Sequence, residues 1–342
     1  MAEYICVFNK DTLIIKPPKK LPGFLRMIVL VIAMVCSIMI CSFCLQQINN
    51  HNKSEFVNFK VIVRPCQDYM FNHSRLPFLT YPRPKTFCRA ECACNPVRLF
   101  AILSTQRSGS GWFETLLNSH INVSSNGEIF SVKERRDNVS SIVKTLDKVY
   151  NLDWFTSASK NQCSAAIGFK WMLNQGLMEN HKEIVEYFNR KGVSVILLFR
   201  RNTLRRMVSM LANSYDRHAK LLNGTHKSHV HSFEEADTLS RYRPTINSIT
   251  LINDLKQMES TVTKAIEYFN STRHMILYYE DLIKNGTKLY EVQKFLGLPQ
   301  MNLTSHQVKI HRGPLWEHIE NWNDVNRTLG GTPYESFLSI DY

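Results

Sequence analysis

The chain has 342 residues, 44% of them hydrophobic, and carries 42 basic against 29 acidic side chains for a formal charge of +13. That length holds one large domain or two, and the apolar content is enough to build a core. The positive excess suits an anionic ligand, and the absence of any nucleic-acid-binding motif sets nucleic acid aside.

Residues 1–23 form a short basic tail, with Lys10, Lys16, Lys19 and Lys20 against Glu3 and Asp11. Residues 24–45 are apolar apart from Arg26, a few serines and cysteines, and are long enough to span hydrocarbon. No A-x-A-like cleavage site follows Cys44, so the stretch reads as a transmembrane signal anchor rather than a cleaved signal peptide. The lysines precede it, which places the amino terminus in the cytoplasm and the body in the lumen, a single-pass type II topology. All nine Asn-x-Ser/Thr sequons lie beyond the span, at Asn52, Asn72, Asn122, Asn138, Asn223, Asn270, Asn285, Asn302 and Asn326, as a glycoprotein of the secretory pathway requires.

Residues 46–97 read as a stem and cysteine-bearing lead-in, broken by prolines at 65, 77, 82, 84 and 96, with a strand expected over 56–63. Cys66, Cys88, Cys92, Cys94 and Cys163 fall in the lumen, where disulfides are a better use of the Cys88-x-x-x-Cys92-x-Cys94 cluster than metal. Five is odd, so one thiol stays free or pairs between chains, and a homodimer stays open. The main domain is expected over 98–342.

That domain opens on Leu99 to Ser104, a buried strand, followed by the turn Arg107-Ser108-Gly109-Ser110-Gly111 and a helix to Ser119 with Trp112, Leu116 and Leu117 inward. Convergent amides, a helix N-terminus, serine hydroxyls and an arginine make this a phosphate loop in outline, while the G-x-x-x-x-G-K-[ST] pattern of nucleoside triphosphatases is absent. The sequence Asn126-Gly127-Glu128-Ile129-Phe130 comes next, then Arg135, Arg136 and Lys144 on a solvated helical region. A short strand over Ala165 to Phe169 ends in Lys170-Trp171-Met172, and Met178 to Asn189 has helical spacing.

The second strong strand, Val193 to Phe199, runs into Arg200-Arg201-Asn202 and a helix carrying Ser209. Residues 216–242 are polar and contain His218, His226, His229 and His231, a loop or lid on the acceptor side. A helix from Pro244 to Phe269, a strand from His274 to Tyr279 and a helix from Lys288 to Leu296 complete the pattern. Strands alternating with helices predict an α/β fold of three layers, a mostly parallel sheet covered on both faces, with ligands at the strands' carboxyl ends.

Together the two phosphate elements resemble those of the sulfotransferases that use 3′-phosphoadenosine 5′-phosphosulfate (PAPS), in the membrane-anchored carbohydrate-directed branch. The resemblance implies that Arg107, Ser108, Gly109, Ser110, Gly111 and Trp112 hold the 5′-phosphosulfate. It assigns the 3′-phosphate to Arg201 and Ser209 in the R-N-x-x-x-x-x-x-S element. His311-Arg312-Gly313 resembles the family's basic-glycine loop over the nucleotide, and Tyr279-Glu280-Asp281-Leu282 its Y-E-D-L stretch. PAPS is then the co-substrate, with no metal, and the protein a Golgi-type membrane enzyme acting on a glycan or other hydroxyl-bearing acceptor.

Sulfuryl transfer needs a base for the acceptor's proton and cations over the departing oxygen. Arg107 is the first candidate cation and Lys170 the second. Cytosolic relatives place a histidine base two residues beyond a strand-end lysine, where this chain has Met172, and Glu128 is the favoured replacement, with His181 and the lid histidines as rivals. Trp171, Trp316 and Trp322 are candidates to stack on sugar faces. The competing readings are a catalytically silent glycan-binding scaffold on the same fold and a type II glycosyltransferase, although no D-x-D metal triplet occurs.

Overall fold

The computed structural model describes residues 6–9, 12–15, 27–28, 30–40, 42, 97–154 and 164–339. The stem, the strand expected over 56–63, sequons Asn52 and Asn72, and Cys66, Cys88, Cys92, Cys94 and Cys163 lie outside the described residues. The chain divides into two units, Met1–Gln67 and Asp68–Tyr342. In the first, β1 (Cys6–Asn9) pairs antiparallel with β2 (Thr12–Ile15), where the sequence predicted only a basic tail. The predicted span 24–45 is described only in part; residues 27–28, 30–40 and 42 are helical with exposed side chains. Among the described residues no helix is long and apolar enough to cross a membrane.

The second unit is built on five parallel strands in the order β4-β5-β3-β6-β7. These are β3 (Arg98–Ser104), β4 (Val123–Ser125), β5 (Ala166–Met172), β6 (Ser194–Phe199) and β7 (His274–Tyr278). Every residue of β5 and β6 is buried, and since successive side chains point to opposite faces, helices must cover the sheet on both sides. One large cluster fills the sheet's faces with Phe100, Phe113, Phe130, Phe169, Trp171, Phe188 and Phe199. Gly168 on β5 is there because Phe100 of β3 lies flat against it and leaves no room for a Cβ.

The helices that matter for function are α1 (Ser110–Ser119), α2 (Val139–Tyr150), α3 (His181–Lys191), α4 (Thr203–Ala219), α5 (Phe233–Ser240) and α6 (Leu251–Tyr268), followed by α7 (Tyr279–Lys284) and α8 (Thr287–Phe295). On α1 Leu116 and Leu117 are buried as expected, Phe113 joins them, and Trp112 is only partly buried. The helix expected from Pro244 begins seven residues later, because Asn321 bonds the Ile246 N–H at 2.9 Å and holds 244–250 as extended chain and turn. The lid region is part helix, α5, capped by Ser232.

β3 sits in the middle, flanked by β5 and β6, so the chain leaves it in both directions. The crevice this opens at the carboxyl ends of the strands is where the two predicted phosphate elements emerge.

Candidate active site

The Ser104 hydroxyl donates to the Leu198 carbonyl at 2.7 Å, locking the ends of β3 and β6 side by side. The chain then turns sharply. Arg107 (φ 65°) and Gly109 (φ 81°) both adopt left-handed backbone, and the Thr105 and Ser108 hydroxyls meet at 2.7 Å across the turn. Gly109 is required twice over: its φ disfavours a side chain, and a Cβ would collide with the Tyr279 ring. α1 starts at Ser110, so its free amides and partial positive charge face the loop's mouth.

α4 ties the second element to the first. Its N-terminus is capped by the Asn202 side chain, which accepts from Arg205 N–H at 2.9 Å. The buried Glu280 carboxylate accepts from the Arg201 and Asn202 amides at 3.1 and 3.0 Å. Thus Glu280 of the Y-E-D-L stretch anchors the backbone that leads into α4. Arg205 donates to Gly313 O at 3.0 Å and Arg206 to Gln106 O at 2.8 Å, so one helix holds both the basic-glycine loop and the phosphate loop. Burial, reinforced by Arg200, pushes Arg206 down to about 10, which leaves it a cation at neutral pH.

These elements enclose a cavity of about 570 Å³. Its lining brings Arg107, Gly109, Ser110, Gly111 and Trp112 of the phosphate loop and α1 together with Arg200, Ser209 and the loop bearing Lys309, His311, Arg312 and Gly313. Four cations and no carboxylate line it, which fits a multiply charged anion. Arg107 Nε donates to Ser209 Oγ at 2.8 Å and its Nη1 to Ser228 O at 2.6 Å. Its pKa is pushed down to about 10 by burial and by Arg200. The Nε2 atom of His311 is buried without a partner, and burial with the neighbouring His318, Arg107, Arg200 and Arg205 charges holds that ring at about 3, so it is neutral. Such an orphaned nitrogen is a hydrogen-bonding group waiting for a ligand.

Of the two arginines after β6, the one that lines the cavity is Arg200, not Arg201. Arg201 makes a bidentate pair with Asp281 at 2.5 and 2.8 Å and stacks 4.0 Å over Tyr278, facing solvent. Arg200 lies 5.3 Å over the Tyr279 ring, with its Nη1 3.5 Å from Arg107 O. Ser108 is fully buried behind the loop and does not line the cavity.

Lys170 and Glu128 come together beside the phosphate loop. Lys170 Nζ is 3.5 Å from Glu128 Oε2 and equally 3.5 Å from Glu114 Oε2. The other Glu128 oxygen accepts from Gln175 Nε2 at 2.5 Å. His229, on the lid, packs over Gly111, where a Cβ would strike its ring. Its pKa is pushed down to about 4 by burial and then by Arg107, Lys170 and His231, so its ring senses both candidate cations. A separate cleft of about 270 Å³ is lined by Gln106, Asn174, Met178, Glu179 and Met210 among others. His181 is stacked on Tyr268 at 3.7 Å, and His226 pairs with Asp216 at 2.7 Å. Among the described residues no group of three or more His, Cys, Asp or Glu is arranged to hold a metal ion.

Glu114, Gln175 and Arg200 were not singled out from the sequence. Glu114 had a signal, since it lies three residues before Leu117 on the inward face of an amphipathic helix, where an acid needs partners. Trp171, a candidate sugar platform, is wholly buried against Phe130 at 3.8 Å and donates to Gln175 O; Trp316 is the exposed one.

Comparison with known proteins points the same way. The family model described as "Sulfotransferase domain" matches residues 99–312, from the first strand of the sheet to the basic-glycine loop. Nodulation protein H of Rhizobium meliloti is 23% identical over 250 residues, covering 72% of this chain and 96% of its own, and that of Rhizobium tropici is 24% identical over 256 residues, covering 71% and 93%. Similar solved structures include a sulfotransferase domain from the curacin biosynthetic pathway (16% identity, 71% of this chain and 89% of that one, TM-score 0.34). A mouse sulfotransferase complexed with PAP (12%, 75% and 80%, 0.35) and a sulfotransferase from Alicyclobacillus acidocaldarius (11%, 72% and 97%, 0.38) are also similar. With more than half of its length matched by that model, from phosphate loop to basic-glycine loop, the chain belongs to the sulfotransferase domain family and is a sulfotransferase.

Proposed function

We propose that this sulfotransferase takes its sulfuryl group from PAPS and delivers it to a hydroxyl of a glycan, as a Golgi membrane protein with its catalytic domain in the lumen. The observation that carries the donor is the cavity itself, which joins two anion-gripping elements and contains four cations and no acid. A donor lying along it would have its 5′ end on the amides of the phosphate loop and α1, with Arg107. Its 3′-phosphate would lie near Ser209, Arg200 and the 311–313 loop.

PAPS supplies the activated sulfuryl group; the chain's residues orient it and move the proton. The acceptor oxygen bonds to sulfur as the bond from sulfur to the bridging phosphate oxygen breaks. The hydroxyl proton passes to the Glu128 carboxylate, and the electron pair leaves with adenosine 3′,5′-bisphosphate (PAP), its charge met by Arg107 and Lys170. The cleft bearing Gln106, Asn174 and Glu179 supports an acceptor rich in hydroxyls, since each of these side chains is a hydrogen-bonding partner for a sugar.

Six of the seven described sequon asparagines, Asn138, Asn223, Asn270, Asn285, Asn302 and Asn326, are exposed, as a lumenal glycoprotein needs; Asn122 is buried and is not a glycosylation site. The test is incubation of the full-length chain with radiolabelled PAPS and a panel of glycans and tyrosine peptides. Label in a glycan with release of PAP is expected. Label confined to peptides overturns the acceptor, and no PAP release with any acceptor overturns the donor. Protease protection of the body in sealed microsomes tests the topology.

A further inference from the structure

Among the described residues, Glu114 is the one buried carboxylate beside the catalytic groups that the mechanism above does not use. It is 7% exposed and lies one turn into α1, four residues after Ser110 of the phosphate loop. Its Oε1 accepts from Ser125 Oγ at 2.6 Å and from the Gly127 amide at 2.9 Å, the amide just before Glu128. Its Oε2 faces Lys170 at 3.5 Å. The circuit closes through the backbone, where Lys170 N–H donates to Gly127 O at 2.9 Å.

One turn further along the same face, the Asn118 side chain donates to Ser125 O at 2.9 Å and accepts from Ser125 N–H at 2.7 Å. Ser110, Glu114 and Asn118 are spaced i, i+4, i+8, so they form a single stripe. The helix whose first residue shapes the donor loop therefore carries, on one face, the mount for segment 125–128.

We propose that Glu114 is a positioning residue for sulfuryl transfer. It fixes the backbone that presents Glu128 and shares Lys170 between two carboxylates, so that the ammonium is not captured by the base alone. With the charge of Glu114 gone, Glu128 is the only acidic partner of Lys170 among the described residues, and the oxygen that must take the acceptor's proton is occupied instead. This rests on the reading of Glu128 as the base.

The experiment uses E114Q and E114D in the full-length chain, with E128Q beside them and rates expressed per PAP-binding-competent molecule, so that misfolded protein is not counted. The amide introduced by E114Q keeps an oxygen for the Gly127 and Ser125 donors and loses only the charge toward Lys170. We expect E114Q to lower kcat by about tenfold or more while KM for PAPS stays within about threefold, and E114D to recover part of the loss. Wild-type kcat in E114Q with an inactive E128Q overturns the positioning role and leaves the base intact. Equal kcat in E114Q and E114D overturns it too, because charge is then irrelevant. Full activity in E128Q removes the base, and the positioning role with it.

Discussion

Arg107 and Ser209 lie 102 residues apart in sequence, yet the guanidinium Nε of one donates to the hydroxyl of the other at 2.8 Å, closing the phosphate loop onto α4. On the proposed reading, the donor is held by both ends of that bond. Arg107→Ala is expected to lower kcat by about 10²–10³-fold, the usual cost of losing one donor to a developing anion. Ser209→Ala should chiefly raise KM for PAPS, by about tenfold, as expected for a hydrogen bond to a charged group. Steady-state kinetics at varied PAPS separates the two.

The two neighbouring arginines should behave differently. Arg200 lines the cavity, so Arg200→Ala is expected to weaken PAP binding by about tenfold or more, as measured by calorimetry. Arg201 is committed to Asp281 on the surface, an exposed pair of the kind contributing under about 1 kcal/mol. Arg201→Ala should bind PAP within about threefold of wild type. The reverse order would show that Arg201 leaves Asp281 to take the phosphate.

Gly109→Ala tests the turn. The new methyl meets the Tyr279 ring in a left-handed backbone position, a combination expected to cost about 1–3 kcal/mol and to displace the ring from Trp112, 5.7 Å away. Thermal unfolding should register the loss, and PAP should protect the variant less than it protects wild type.

Glu128→Gln keeps the shape of the side chain and its bond from Gln175 but removes the carboxylate proposed to accept the proton. A fall in kcat of about 10²–10⁴-fold with PAP affinity unchanged is expected, the range typical of general base catalysis. Calorimetry on the same sample verifies that the donor site is whole.

His311 predicts a pH dependence of stability. An unfolded histidine titrates near 6.5, and the folded one is held at about 3. Between those values the unfolded chain takes up a proton that the folded chain refuses. Stability is therefore unaffected above about pH 6.5 and falls on acidification below it, by up to about 1.4 kcal/mol per pH unit. Melting temperatures from pH 7.5 to 5 should decline, and His311→Gln should flatten the decline.

Local pattern made the sheet readable. The runs at 99–104 and 193–199 are apolar except for one serine each because both faces of the sheet are covered, and the observed strands match them to within a residue. The helix expected from Pro244 failed at its start because a distant partner, Asn321, overrides the local tendency of 244–250 to form helix.

The amino-acid sequence by itself determined the fold class, the phosphate loop and the family, since these depend on patterns and motifs within short stretches. Only the tertiary structure decided that Arg200 rather than Arg201 faces the cavity, that Glu280 anchors the chain entering α4, and that Glu114 shares Lys170 with Glu128. Those outcomes depend on which charged groups meet when separate strands end side by side. A buried charge takes whatever partner the fold brings within reach, and no spacing along the chain encodes that choice.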